Sequence, residues 1–276
     1  MLGAERTSYR AARRSNRPPA RPAGRPRRAA GGALAAAVLA VGTTGCGNLF
    51  TVEDDMRMGQ EAYAQVLAEQ KILDSGPAHE QVQRVTERLV ASTREIDPGI
   101  AERFEWEVTV IDDPGTVNAF CLPGGKMAVY TGILPVAESD AGLAVVMGHE
   151  IAHAIRRHGT ERVSRNMQMD IAIGILAKNE DQAQIASLLG NLGVGLPWGR
   201  ADESEADRVG LSYMANAGYD PREAVKFWQR MSALSGGGSS GGLGEFLSTH
   251  PSDERRIADI REELPRVMPL YRRSRR

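Results

Sequence analysis

A mostly helical α+β fold, with a small antiparallel sheet beside one buried helix, is predicted for residues 46–276. Three observations predict it. Segments with helical apolar spacing and no internal proline dominate the chain beyond residue 50. Phe104, Trp106, Val108 and Val110 alternate with Glu105, Glu107 and Thr109, the period of a half-buried strand. Pro123-Gly124-Gly125 separates Ala119–Leu122 from Lys126–Thr131, which reads as a hairpin turn. Helices beside one small sheet make an α+β class.

In chain order, Met56–Leu73 and His79–Ser92 are expected to form a helical N-terminal layer, followed by the strand and the hairpin. Asp140 can cap a helix running to about His158, with Gly159 ending it. Helices are then expected at Glu161–Ala177, Gln182–Leu189, Glu203–Ala217 and Pro221–Leu234, with Pro221 in a first turn. The glycine- and serine-rich stretch 235–244 has little to pack and is expected to be a flexible loop. A last helix covers Ser252–Leu264, and the basic tail 272–276 is expected to be disordered. No internal repeat is visible.

Composition is that of an ordinary globular chain, 42% hydrophobic and 25% charged over 276 residues. The formal net charge of −1 hides an asymmetry. Residues 1–45 carry nine arginines and one acid, so residues 46–276 carry −9. An acidic domain of this kind excludes a charge-driven nucleic-acid binder. Two cysteines, Cys46 and Cys121, are too few for a disulfide framework.

The first 45 residues read as an export signal. A basic stretch broken by Pro18, Pro19, Pro22 and Pro26 precedes the uncharged apolar run Ala29–Val41. That run is too short to span a bilayer, which needs about 20 residues. Small residues 42–45 then lead to Cys46, resembling a bacterial lipobox with Thr43 where leucine is usual. On this reading Cys46 is the lipidated N-terminus of the mature chain, and an ordinary signal peptide with a chance cysteine is the alternative. Gly47, rather than an aspartate, follows the cysteine and points to the outer membrane, facing the periplasm.

The chemistry concentrates in His149-Glu150-Ile151-Ala152-His153, inside the Asp140–His158 helix. His149 and His153 lie one turn and about 40° apart, so both imidazoles can meet one ion. Glu150 is placed to reach a metal-bound water, the arrangement of a zinc hydrolase. The apolar run Leu143–Met147 argues that this helix is buried, where two histidines and a glutamate need partners. A third histidine six residues after His153 is ruled out, because Gly159 stands there. His158 falls about 180° from His149 on a continuous helix and reads as structural or exposed. Glu203, on a later helix, can supply the third ligand, with Asp207 one turn on holding a ligand histidine by its free ring N–H. Alone, this acidic cluster would read as a solvated helix start.

These stretches resemble the gluzincin zinc metallopeptidases, the family of the CAAX prenyl proteases and the heat-shock protease HtpX, in its bacterial periplasmic lipoprotein branch (BepA and LoiP type). The matching residues are Val117–Phe120 with Leu122–Gly125, His149–His153 with Arg157-His158-Gly159, Arg200–Asp207, and Thr249-His250-Pro251 with Arg256-Ile257. The resemblance spans about Gly59 to Ile257. It implies one zinc per chain held by His149, His153 and Glu203, with Glu150 as the base. Asn118 would contact substrate near the scissile bond, or simply cap a strand. His250 would approach the zinc, either blocking it as a fourth ligand or stabilising an oxyanion once displaced, or be an ordinary loop histidine. Arg256 would contact the oxyanion or the substrate chain. Cys121 departs from the expected alanine.

The expected activity is therefore endoproteolysis of misfolded or envelope proteins, bound as an extended strand along Asn118–Cys121. Outer-membrane assembly machinery is the partner that the resemblance implies. A chaperone-like or binding lipoprotein with a structural or latent zinc site is the alternative.

Overall fold

The computed structural model describes residues 48–172, 198–236, 243–250 and 254–276. The chain divides at Gly45/Cys46 into two compact units, and all described residues lie in the second. The expected helix Gln182–Leu189 lies outside the described residues.

The first helix, α1 (Val52–Leu67), starts with a capping box in which Thr51 and Asp54 satisfy each other's backbone N–H. It is shorter at its C-terminal end than the sequence suggests. Ile72–Leu73 instead form an edge strand, β1, pairing antiparallel with β2 (Glu107–Ile111). Helix α2 (Pro77–Ile96) follows the spacing expected of it, burying Val82, Val85 and Leu89. The hairpin strands β3 (Ala119–Leu122) and β4 (Lys126–Tyr130) form with Gly124 at φ +81°, a conformation glycine adopts without strain. The sheet order is β1-β2-β4-β3. It is mixed rather than purely antiparallel, because β2 and β4 run parallel. The chain from β2 passes β4's position to make β3 first, and then returns to lie between them.

Helix α3 (Asp140–Ile155) is the centre of the molecule, and every residue from Gly142 to Ile155 is buried. A helix apolar all round needs cover on every side. The sheet, α2, α5 (Arg200–Asn216) and α6 (Glu223–Gly236) provide it. The cap of α3 is Ser139, whose hydroxyl accepts from Gly142 N at 3.2 Å. Asp140 is the first helical residue and binds Arg84 in a two-pronged ion pair at 3.0 and 3.1 Å.

Helix α3 does not reach His158. Arg157 takes a left-handed conformation, φ 58°, and α4 (His158–Ala172) begins directly after it, with Gly159 inside its first turn. A non-glycine residue there is strained. The Arg157 guanidinium compensates by donating to the buried Asp55 carboxylate, at 2.5 and 3.1 Å, and to the Phe50 carbonyl at 2.6 Å.

Helix α5 crosses α3 at a glycine pair. A Cβ on Gly210 would lie 2.8 Å from both Gly148 C and His149 N. Only this close approach lets residues one to two turns before Gly210 face His149. Helix α6 begins two residues after Pro221, which sits in the preceding turn, and reaches Gly236. Helix α7 (Leu243–Thr249) begins inside the stretch expected to be loop, and residues 237–242 between them are outside the described set.

The last helix, α8 (Glu254–Ser274), corrects the expectation of a disordered tail. It continues through Pro265 and Pro269. Each proline removes one hydrogen bond, but Val267 is buried, Leu270 and Tyr271 pack on the core, and Ser274 Oγ donates to the Ala215 carbonyl at 2.9 Å. Packing along α5 outweighs the lost backbone bonds. Among the described residues, no helix is long and apolar enough to cross a membrane.

Candidate metal centre

Four buried groups from three helices converge beside α3. His149 and His153 come from α3, Glu203 from the first turn of α5, and His250 from the end of α7. His250 is turned inward because its backbone N–H closes α7 onto Phe246 O at 2.8 Å, while its ring packs against the Phe246 ring.

The ligand atoms form a closed cage. His149 Nε2 lies 3.1 Å from His153 Nε2 and 3.2 Å from His250 Nδ1. Glu203 Oε1 lies 3.1 Å from His153 Nε2 and 2.9 Å from His250 Nδ1. Four ligands on a tetrahedral zinc at the usual bond lengths stand about 3.3 Å apart. The donor set fits zinc in type, and four of its six separations are close to that spacing, with all of them within 4.8 Å.

Proton bookkeeping gives the same answer. His149 Nδ1 faces the Asp207 carboxylate at 2.9 Å, so that nitrogen carries the proton and the Nε2 lone pair points into the cage. The Nε2 of His153 points there too. Two lone pairs and a carboxylate facing one another are repulsive until a cation sits among them. In the cation's absence a proton is the substitute. Burial opposes charging His149, yet the Glu203 and Asp207 carboxylates push its pKa up to about 9. His153 moves the other way, pulled well below the usual range mainly by burial.

The carboxylates are held ionised. Burial pushes Glu203 and Asp207 up, but His250 and Arg256 at Glu203, and Arg256 and His149 at Asp207, outweigh it and depress both. Arg256 is at the back of the site. It donates to Glu203 Oε2 at 2.6 Å and to Asp207 at 2.7 and 2.8 Å, and stacks on Trp228 at 3.4 Å. This clamp leaves Oε1 of Glu203 aimed at the cage.

Glu150 is buried, and its Oε1 has no hydrogen-bond partner among the described residues. His250 Nε2 lies 3.5 Å from that oxygen. Burial, the largest influence, raises the Glu150 pKa. Asn118 opens β3, buried, with Oδ1 accepting from Ala119 N at 2.8 Å and Nδ2 lacking a partner among the described residues. Burial and, secondarily, the Glu150 charge push the Cys121 thiol well up.

Two features escaped sequence reasoning. Trp198 stacks on the His153 ring at 4.5 Å, with no motif to announce it. His158 is buried, with Nδ1 at 2.9 Å from His153 Nδ1. A continuous helix would put it on the far side from His149, and the left-handed Arg157 swings it back. Only the arginine's pairing with Asp55, distant in sequence, signals that break.

A His-Glu-x-x-His helix facing a glutamate from a later helix is the donor arrangement of the gluzincin class. Residues 77–264 match the model of Peptidase family M48, and the chain belongs to that family. It is 39% identical over 222 residues to the mitochondrial metalloendopeptidase OMA1 of Schizosaccharomyces pombe, covering 79% of this chain and 63% of that one. Against the Arabidopsis thaliana protein of the same name, identity is 39% over 176 residues, 62% of this chain and 34% of that one. It is also 27% identical over 243 residues to the beta-barrel assembly-enhancing protease of Escherichia coli O157:H7, covering 84% of this chain and 48% of that protein. The chain thus spans between a third and two thirds of the length of these relatives.

Proposed function

We propose that this protein is a zinc-dependent endopeptidase, with His149, His153 and Glu203 holding the metal and Glu150 acting as general base. The ring of four contacts at 2.9–3.2 Å that links the four ligand atoms carries this reading. Bound zinc would polarise a peptide carbonyl and acidify water at the site. The protein's own part is positioning and proton transfer. Glu150 has a desolvated oxygen with no hydrogen-bond partner among the described residues, which suits taking a proton and later giving it to the leaving amine. Asn118 offers an unused buried donor at the head of edge strand β3, where an extended substrate could add as a further strand.

His250 stands beside the three ligands, and as a fourth donor to zinc it would take the position that a water needs. His250 must withdraw before substrate is processed, and once withdrawn can serve the oxyanion. The same closure supports the second reading, a binding lipoprotein with a latent zinc site.

Residues 1–45 serve as the export signal, Cys46 as the lipid anchor, and the substrates are misfolded envelope proteins at the periplasmic face of the outer membrane, near its assembly machinery. The family, the basic-then-apolar N-terminus and the resemblance to the Escherichia coli relative support this.

The test uses residues 47–276 with one zinc per chain and unfolded casein as substrate. Glu150→Gln should keep the metal and lose cleavage. Full cleavage by metal-free protein, or by Glu150→Gln, would defeat the proposal.

A further inference from the structure

We propose that His158 is a positioning residue for the metal, fixing the tautomer and ring orientation of His153 as the acceptor of its Nδ1–H. The inference rests on the zinc-site reading above. His153 turns Nε2 into the cage, so its proton must sit on Nδ1. The atom facing that proton, at 2.9 Å, is His158 Nδ1. To accept, His158 must carry its own proton on Nε2, and that nitrogen points at Glu205 Oε2, 3.5 Å away on the rim. The proton order is thereby set: His153 donates to His158, whose Nε2–H faces Glu205.

The arrangement differs from that of the other ligand imidazole. His149 is oriented by a carboxylate, Asp207, at 2.9 Å. His153 instead faces a second buried imidazole, His158, with the acid one residue further out and 40% exposed. The difference has a charge rationale. Glu203 and Asp207 already place two buried carboxylates beside the ligand imidazoles, with Arg256 against them. A carboxylate at position 158 would leave a buried excess negative charge, and a neutral acceptor does not. Trp198 stacks on the face of the His153 ring, while His158 takes the in-plane direction of Nδ1.

His158→Asn and His158→Leu distinguish this role from simple packing. The two side chains have nearly the same shape, but only asparagine presents an acceptor where Nδ1 stands. Zinc affinity, measured by competition with a chromogenic chelator, should fall about 10–100-fold in the leucine variant. In the asparagine variant it should stay within roughly threefold of the parent, an acceptor being retained. The visible spectrum of the cobalt-loaded leucine variant should shift, and that of the asparagine variant should not. Parental affinity in folded His158→Leu, or equal loss in both variants, overturns the proposal. Should the leucine variant not fold, imidazole nitrogen NMR of the zinc-loaded parent decides instead. His158 should be the Nε2–H tautomer, and an Nδ1–H tautomer refutes the inference. A parent that binds no zinc would defeat the metal-centre reading itself, a distinguishable failure.

Discussion

Gly210→Ala tests whether the metal cage depends on how closely two helices cross. The added Cβ would stand 2.8 Å from Gly148 C, 2.8 Å from His149 N and 2.9 Å from Gly148 O. All three are backbone atoms of α3, so no side chain can rotate away. An ordinary contact is about 3.5 Å or more, so the helices must separate by roughly half an ångström or more. Overpacking of this kind costs about 1–3 kcal/mol. For a domain of this size that is a fall in Tm of roughly 2–12 °C. The separation also acts on the site, because the imidazoles ride on α3 while Glu203 and Asp207 ride on α5. Zinc affinity should therefore fall at least tenfold. Gly148→Ala is a graded comparison, since its nearest atom, Gly210 O, is 3.1 Å away, and it should cost less. Gly99→Ala, with nothing within 4 Å, is the control: zinc affinity should stay parental and Tm should not fall. Thermal melts with and without zinc, together with chelator competition, measure both effects. Gly210→Ala with parental Tm and parental zinc affinity would refute the reasoning.

Tyr63 should make stability fall at high pH. Its phenol donates to Met127 O at 2.9 Å and contacts Thr109 Oγ1 at 2.6 Å, and burial pushes its pKa up to about 12. A folded pKa above the unfolded value of about 10 means a contribution fully present below pH 10 and lost as pH rises through 12. Denaturant melts should show Tyr63→Phe costing about 1 kcal/mol at neutral pH, with a shallower decline above pH 10; parallel curves would count against it. Arg256→Met strands Glu203 and Asp207 without their counter-charge, and loss of one buried partner costs about 3–5 kcal/mol. Zinc should recover part of that loss, so the variant's Tm should rise more on zinc addition than the parent's. His250→Ala should retain zinc on three ligands and cleave casein faster than the parent, and loss of the metal would show that His250 is indispensable for holding it.

The residues that could be read in advance were those whose partners lie within a few turns or whose spacing is fixed by one helix. His149 and His153 share a helical turn, Glu203 and Asp207 share another, and Pro123–Gly125 can only turn. What could not be read depended on distant partners. Arg157 breaks the helix because Asp55 and Phe50 hold its guanidinium. Ile72 and Leu73 leave a helical pattern to pair with Val110 and Ile111. Pro265 and Pro269 stay helical because Val267 and Tyr271 have a core to enter. In each case local preference is worth about a kilocalorie or a few per mole, and burial of a large side chain or a buried ion pair is worth as much or more.

The electrostatics of the cage lead to a last prediction that needs no substitution. Without a metal, Glu203 and Asp207 are held ionised, Arg256 balances one of them, and His149 takes up a proton to balance the other, with a pKa pushed up to about 9. At pH 7.5 that proton is almost fully bound. Zinc needs the Nε2 lone pair and must displace it. Ligand deprotonation is thus coupled to metal entry, and zinc binding should release about one proton per chain near neutral pH, with the yield falling as pH rises through 9. Apparent affinity should accordingly rise about tenfold per pH unit below 9 and level off above it. A pH-indicator dye in weak buffer reads the proton directly during a zinc titration. Release of none at pH 7.5 would mean that His149 is already neutral in the empty cage, and the charge balance assigned to Asp207 and Glu203 would be wrong.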